Sequence, residues 1–586
     1  MKKKNSTRSL KLVNLNELFL KLYEHFKSAP YFTASNITHN NICSFKHVHE
    51  VTPYLENLVK TGMLKQVSNC RFSIPTQKLK DEGKIIPFTK PSKNDKVVNF
   101  PKHATNPIAK DKAQEEDIFP STYRDELEEE IKKYNTFVVT TAVMNKKVYK
   151  PFLESLKNYA KRNNALILLL PCEDVAGRSK KASPIELDPE LKDFRVVFKD
   201  LYLNRNLCLC AIKTSAKQIN PLTGLERLPV AKDASIIMAS PKVFLKHIPN
   251  RHYDVPPALM TTGAVTENNY DTDKYMSKRT AYLAENDHMY GAVIVEVENE
   301  HIFHFRHVQA SKEGALTDLG IEYLPDGEVR ELKDTVMVMG DSHVGYHDKE
   351  LHDKVMELAK SVSTKEIILH DIFHGSSISH HDIGKGIVNA IKVREGRMGL
   401  KRECEAVKSY LQTIVEEGFL VTVVKSNHDG HLYRYINEGR YINDPMNYEF
   451  SLKLALASVD GQDPLQYAIE HELKYKDDKV KWLAEDSSYD IYGVECSEHG
   501  STGPNGSKGS IQAFEKGIGN CVTAHTHSAA IVRNSFCVGT VGEMDMKYNK
   551  GLSSWTRTCC LIYSNGAKQL INFIPNITGD YSYSLD

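Results

Sequence analysis

Asp341, His343, Asp371, Asn427, His499, His525 and His527 are the side chains of this sequence best suited to hold metal ions. They fall in five short segments: DSH at 341–343, HDIFHG at 370–375, SNHDG at 426–430, EH at 498–499 and AHTH at 524–527. Carboxylate, imidazole and amide oxygen donors suit manganese, magnesium, iron or zinc better than a soft thiolate-bound ion. In D-x-H, alternate residues of one loop can reach the same ion. In H-x-H the two imidazoles can reach different ions, and a carboxylate such as Asp371 can bridge both. Two ions about 3.5–4 Å apart clamp a phosphate and make a hydroxide from bound water, which can attack phosphorus in line with the leaving oxygen. A lone D-x-H or H-x-H in a loop is more often structural than a ligand pair. The weight lies in five such segments occurring in order.

Each segment follows an apolar stretch that reads as a strand. The stretches are 335–339, 365–369, 421–425, 491–494 and 520–523. Polar side chains at the carboxyl ends of strands are where open α/β sheets assemble their sites. The region from 333 to about 575 keeps a strand–loop–helix order throughout.

These residues resemble the calcineurin-like metallophosphoesterase superfamily, whose pattern is D-x-H, G-D, G-N-H-D/E, a single H, then G-H-x-H. The glycines preceding three of those motifs are here His370, Ser426 and Ala524. Within the superfamily, HDIFHG is most similar to the D-L-F-H segment of SbcD-type DNA repair nucleases. The resemblance covers about residues 333–575 and implies a β-sandwich flanked by helices. It implies one ion on Asp341, His343, Asp371 and His527, and a second on Asp371, Asn427, His499 and His525. It further implies that His428 stabilises the transition state or protonates the leaving oxygen, that Asp429 orients His428, and that His374 contacts the phosphate. Two divalent ions are expected as cofactors, manganese first, with magnesium, iron(II) or zinc as alternatives. The whole chain also resembles the host-DNA-degrading DNases of coliphages, which implies a nuclease acting in the host bacterial cytoplasm.

The rest of the chain must carry and aim this site. Residues 12–75 read as three short helices and a hairpin (KQVSNCRFSI), a winged-helix-like pattern. Residues 77–120, with Pro87, Pro91, Pro101 and Pro107, read as a linker. Residues 121–332 read as a second α/β domain, with strands at 137–143, 165–170, 235–239, 291–297 and 302–308 and a helix at 151–162; the strand–helix–strand order suggests a parallel sheet. The expected domains are therefore 1–76, 77–120, 121–332 and 333–578. Gly263 in MTTGAVT carries no chemistry of its own.

Over 586 residues, net charge is only +1, yet residues 1–110 hold 19 Lys and Arg against 7 Asp and Glu. A basic arm of this kind can attract nucleic acid or an anionic surface through long-range electrostatics, and charge alone fits a solvated surface that keeps the protein soluble equally well. The 11 cysteines include no CxxC pair, which fits reduced thiols in a cytoplasm. No signal peptide and no membrane helix are read. The expected partners are DNA and further copies of the chain, without a membrane. The expected function is a two-metal DNA nuclease. A small-molecule phosphatase or cyclic phosphodiesterase is the first alternative, and a DNA-binding assembly protein with a structural metal site the second. Among weaker candidates, residues 500–510 (GSTGPNGSKGS) read as a mobile loop bringing Lys508 near a phosphate. His380, His381 and Asp382 form a polar cluster, with Asp382 a helix cap. His431 and Arg434, just after the NHD segment, are candidates to contact a nucleic-acid backbone, with plain surface roles as the alternative.

Overall fold

The computed structural model describes residues 123–174, 186–251, 255–270, 278–546, 549–576 and 579–585, with the strands Lys65–Ser68 and Arg71–Ser73 and the helical residues Leu22, Leu55 and Leu58. The chain forms two compact units. One is 1–130 with 577–579, and the other is 131–576 with 580–586. In the first, the expected hairpin is present as antiparallel strands Lys65–Ser68 and Arg71–Ser73. Leu22, Leu55 and Leu58 are helical and fully buried. The remainder of the winged-helix-like reading and the whole of the linker 77–120 lie outside the described residues.

The second unit is a mixed α/β body. A five-stranded sheet runs in the order Phe303–Gln309, Gly291–Val297, Thr136–Val143, Ala165–Cys172, Arg195–Val196. Thr136–Val143 and Ala165–Cys172 pair in parallel across the helix Lys150–Arg162, as the strand–helix–strand order requires. Gly291–Val297 and Phe303–Gln309 depart from the parallel expectation. Only residues 298–302 join them, too few for a crossover, so they pair as an antiparallel hairpin.

Ligand-bearing loops leave a six-stranded sheet. Its strands are β1 (Thr335–Val338), β2 (Thr364–Leu369), β3 (Leu420–Val423), β4 (Val480–Trp482), β5 (Thr558–Ile562) and β6 (Lys568–Asn572), in the order β4-β3-β2-β1-β5-β6. β1 to β4 are parallel neighbours, so β1, β2 and β3 end on the same edge. Alternate residues (Met337, Ile367, Val421) enter a core with two helices, α1 (Lys349–Ser361) and α2 (Leu400–Glu416). α1 starts at Asp348, whose carboxylate accepts the Leu351 amide at 3.1 Å. α2 buries Leu400, Cys404, Val407, Leu411 and Ile414, the three-and-four spacing of one helix face. The other face of the sheet is covered as well. Lys568 Nζ donates to the Asn534 carbonyl at 2.6 Å, and Glu366 accepts from Thr422 and Tyr489 at 2.6 Å each. Cover on both faces is why β1 is buried along its whole length and β2 ends in the apolar run Ile367–Leu369.

A ten-stranded sheet supplies the remaining ligands. It runs Asp490–Ile491, Val494–Glu495, Cys521–Thr523, Ser535–Cys537, Ala530–Val532, Phe244–His247, Ala258–Thr261, Ser235–Met238, Leu207–Cys210, Leu201–Asn204. Ala530–Val532 pairs antiparallel with Phe244–His247, so strands from the stretches 121–332 and 333–578 share this one sheet. The single strand expected at 491–494 is instead a tight hairpin turning at Tyr492 and Gly493. Among the described residues every cysteine is a buried free thiol, and no helix is long and apolar enough to cross a membrane.

Candidate metal centre

Five loops meet at the strand ends, three from the six-stranded sheet and two from the ten-stranded one. The loop after β1 carries Asp341 and His343. Its approach to the neighbouring loop depends on Gly340, where a methyl group would stand 2.9 Å from the Gly539 carbonyl. Asp341 N donates to Gly539 O and Val541 N to Asp341 O, both at 3.1 Å. The loop after β2 is laced to it, with His343 N donating to Asp371 O at 2.7 Å. His343, Asp371, His525 and His527 all have positive φ, from 44° to 71°, a region that non-glycine residues rarely adopt. The left-handed turns fall on Asp371 and His525, the residues directly after His370 and Ala524. Backbone strain of this kind, on side chains that also converge, is characteristic of functional sites.

Asp341, His343, Asp371 and His527 form a buried group whose ligand atoms lie within 4.8 Å of one another, and it could hold a metal ion. His527 Nε2 is 3.0 Å from His343 Nε2 and 3.1 Å from Asp341 Oδ2. Nitrogens about 2.1 Å from one ion, at right angles to each other, stand about 3 Å apart. Beside this group, His499 Nε2 lies 2.8 Å from Asn427 Oδ1 and 3.5 Å from Asp371 Oδ2. The His525 ring is 5.2 Å from that of His499, centre to centre. All seven sequence-predicted ligands are thus brought into one neighbourhood, with Asp371 between its two parts.

The electrostatics suit a cation. Both Asp341 oxygens, Asp371 Oδ2, His499 Nδ1 and His527 Nδ1 are buried without a hydrogen-bond partner. Buried charge left this way is costly. Burial, then the charge of Asp371, push the Asp341 carboxyl up to about 8. Burial would raise Asp371 too, but the imidazoles of His499, His428 and His343 hold it well below the usual carboxylate range. Burial pulls His527 down to about 4 and His374 to about 3, and lowers His343, His499 and His525. Neutral imidazoles with free lone pairs and an ionised carboxylate are the forms that ligate metal.

The residues expected to act beside the ions are also here. His374, His428 and His343 form a second close group. His374 Nδ1 is 3.2 Å from His343 Nδ1, and His428 Nδ1 donates to the His374 carbonyl at 2.8 Å. Asp429 is buried, and its carboxylate accepts the Phe373 and Ser426 amides at 3.2 and 3.3 Å. These contacts tie the second and third loops together, while the His428 ring is oriented by the His374 carbonyl. Asp382 does not cap the helix after it but pairs with Lys392 at 2.6 Å. Arg434 is paired with Glu438 at 2.7 Å. His431 packs 4.7 Å from His428 and 5.1 Å from His380, and His380 lies 3.8 Å from His381.

Two aromatic neighbours escaped the motif reading. Trp555 packs edge-to-face on His527, with ring centres 4.2 Å apart, and Tyr346 lies 4.3 Å from His374. Tyr346 stands three residues after His343, but Trp555 sits in a loop with no local signal of its proximity.

No family model matches the chain, and no solved structure matches it. Protein A1 of Escherichia phage T5 is 27% identical over 467 residues, covering 76% of this chain and 83% of that protein.

Proposed function

We propose that this chain is a two-metal-dependent DNA nuclease of the calcineurin-like metallophosphoesterase type, hydrolysing phosphodiester bonds in host DNA during phage infection. One observation carries the reading. Asp341, His343, Asp371 and His527, chosen from motif spacing, are the residues of a buried group able to hold a metal ion. The arrangement of two sheets with ligand loops at their strand ends supports the metallophosphoesterase reading. Similarity to a T5 protein supports the phage setting.

Asp341, His343, Asp371 and His527 would hold one ion, and Asp371, Asn427, His499 and His525 the other. When bound, divalent ions there supply charge neutralisation of the phosphate and an acidified water. Asp371 stays ionised under the influence of three imidazoles, so it serves as the shared carboxylate. His428 donates a hydrogen bond from Nδ1–H to the His374 carbonyl, which leaves Nε2 as the nitrogen for proton transfer at the leaving oxygen. His374 positions the phosphate, with Tyr346 against its ring. Asp429 holds the His374 and His428 loops at a fixed spacing through the Phe373 and Ser426 amides.

Incubation of the purified chain with linear and closed-circular duplex DNA in Mn²⁺, Mg²⁺ or Zn²⁺ tests this. The expected result is cleavage that Asp371→Ala and His428→Ala each abolish. Undiminished cleavage by both variants overturns the mechanism. A chain that hydrolyses small phosphodiesters but leaves DNA intact is instead a small-molecule phosphodiesterase. Self-association is also proposed, because Leu452, Leu456 and Val459 form an exposed apolar stripe on the helix Tyr448–Val459.

A further inference from the structure

Directly after His499, residues 500–509 form a tongue whose two edges are bonded to each other. Thr502 and Lys508 pair across it, and Gly509 N donates to Ser501 O at 3.0 Å. Its tip is closed by Gly503 N to Ser507 O at 2.7 Å and Gly506 N to Gly503 O at 3.1 Å. The two edges approach so closely that a methyl group on Gly509 would stand 2.0 Å from Gly500 O, and Gly500 itself has a φ of +106°. The base is fixed to the centre, since Ala524 N donates to His499 O at 2.8 Å, one residue before His525.

Lys508 is exposed on this tongue, one residue before Gly509, whose backbone lies against Gly500 and so beside the candidate ligand His499. No acidic partner of Lys508 is present among the described residues. Arg434 and Arg440, by contrast, are both held by Glu438, at 2.7 and 2.9 Å. An unbalanced ammonium beside a centre built to collect cations is repelled by them. The repulsion becomes attraction when an anion spans both.

Resting on the nuclease reading above, we propose that Lys508 binds a backbone phosphate of the DNA strand next to the scissile one. The tongue thereby makes the site one for a polyanionic strand rather than for an isolated phosphate ester. Lys508 is then a binding residue that sets substrate length, not a group acting on the reacting atoms.

The test compares the full chain with Lys508→Met, Lys508→Arg and, as a control, Lys516→Met on the adjoining helix. Steady-state cleavage of linear duplex DNA in Mn²⁺ is measured from about 50 to 200 mM salt, a range over which phosphate contacts weaken strongly. For Lys508→Met, KM should rise about 3–10-fold with a smaller change in kcat, and the log–log salt slope should shrink by about 0.9, the increment for one phosphate contact. Lys508→Arg should restore both, and Lys516→Met should change neither. An unchanged KM and salt slope in Lys508→Met overturns the proposal while leaving the nuclease reading intact. A wild-type chain that hydrolyses bis(p-nitrophenyl) phosphate but not DNA overturns both.

Discussion

His343 Nε2 and His527 Nε2 lie 3.0 Å apart although 184 residues separate them in the chain. One leaves the end of β1 in the six-stranded sheet, the other the end of Cys521–Thr523 in the ten-stranded sheet. Both rings are buried, and burial keeps both neutral. Two neutral imidazoles aimed at each other beside two carboxylates gain little from one another. They gain a great deal from a shared cation, and three expectations follow from that arrangement.

Asp371→Asn keeps the shape of the central ligand but removes its charge. Metal affinity should fall steeply, and DNA cleavage by at least about 100-fold, because the electrostatic clamp on the phosphate depends on the ions. Without metal the variant should be less stable than wild type, since the imidazoles that hold Asp371 ionised in the folded protein lose that charge. Calorimetric titration with Mn²⁺ and thermal melts in chelator separate the two effects.

The metal-free protein should lose stability as pH rises from about 6.5 to about 8. Asp341 and Asp429 are both pushed up to about 8, chiefly by burial, so in this window the folded state binds more protons than the unfolded chain. Below about 6.5 the sign reverses, because the lowered imidazoles resist a proton that the unfolded chain accepts. Melts in chelator should show Tm falling across 6.5–8, with a shallower fall in Asp341→Asn. A Tm that rises across that window contradicts the assignment.

Trp555→Ala removes the ring that packs on His527. Groups that orient a ligand commonly contribute about 10–100-fold in metal affinity. Mn²⁺ affinity should therefore drop by about 10-fold with the secondary structure unchanged, as read by titration and circular dichroism.

Leu456 and Val459 are 70% and 85% exposed on the helix Tyr448–Val459, an unusual position for side chains of this kind. If copies of the chain associate through this face, Leu456→Asp with Val459→Asp should lower the mass measured by light scattering. An unchanged mass assigns the stripe no part in assembly.

Much of the site was legible locally. The passage from an apolar strand to D-x-H, H-D or N-H-D occupies a few consecutive residues, and strand periodicity needs only the same few. β1, β2 and β3 accordingly lie close to their expected positions, and Asp341, Asp371 and Asn427 follow them. The hairpin at 490–495 was misread as one strand, because Tyr492 takes a positive φ that its residue type does not announce.

The sequence by itself determined the donor set, its order along the chain and the class of chemistry it suits. Residue type and short spacing carry that information. Only the tertiary structure decided that strands near 245 and 531 share a sheet, that Asp429 fastens two loops instead of aiming His428, and that Trp555 backs His527. Those contacts join residues tens to hundreds of positions apart. Their energy comes from long-range pairing and packing, which leave no periodic trace in any one segment.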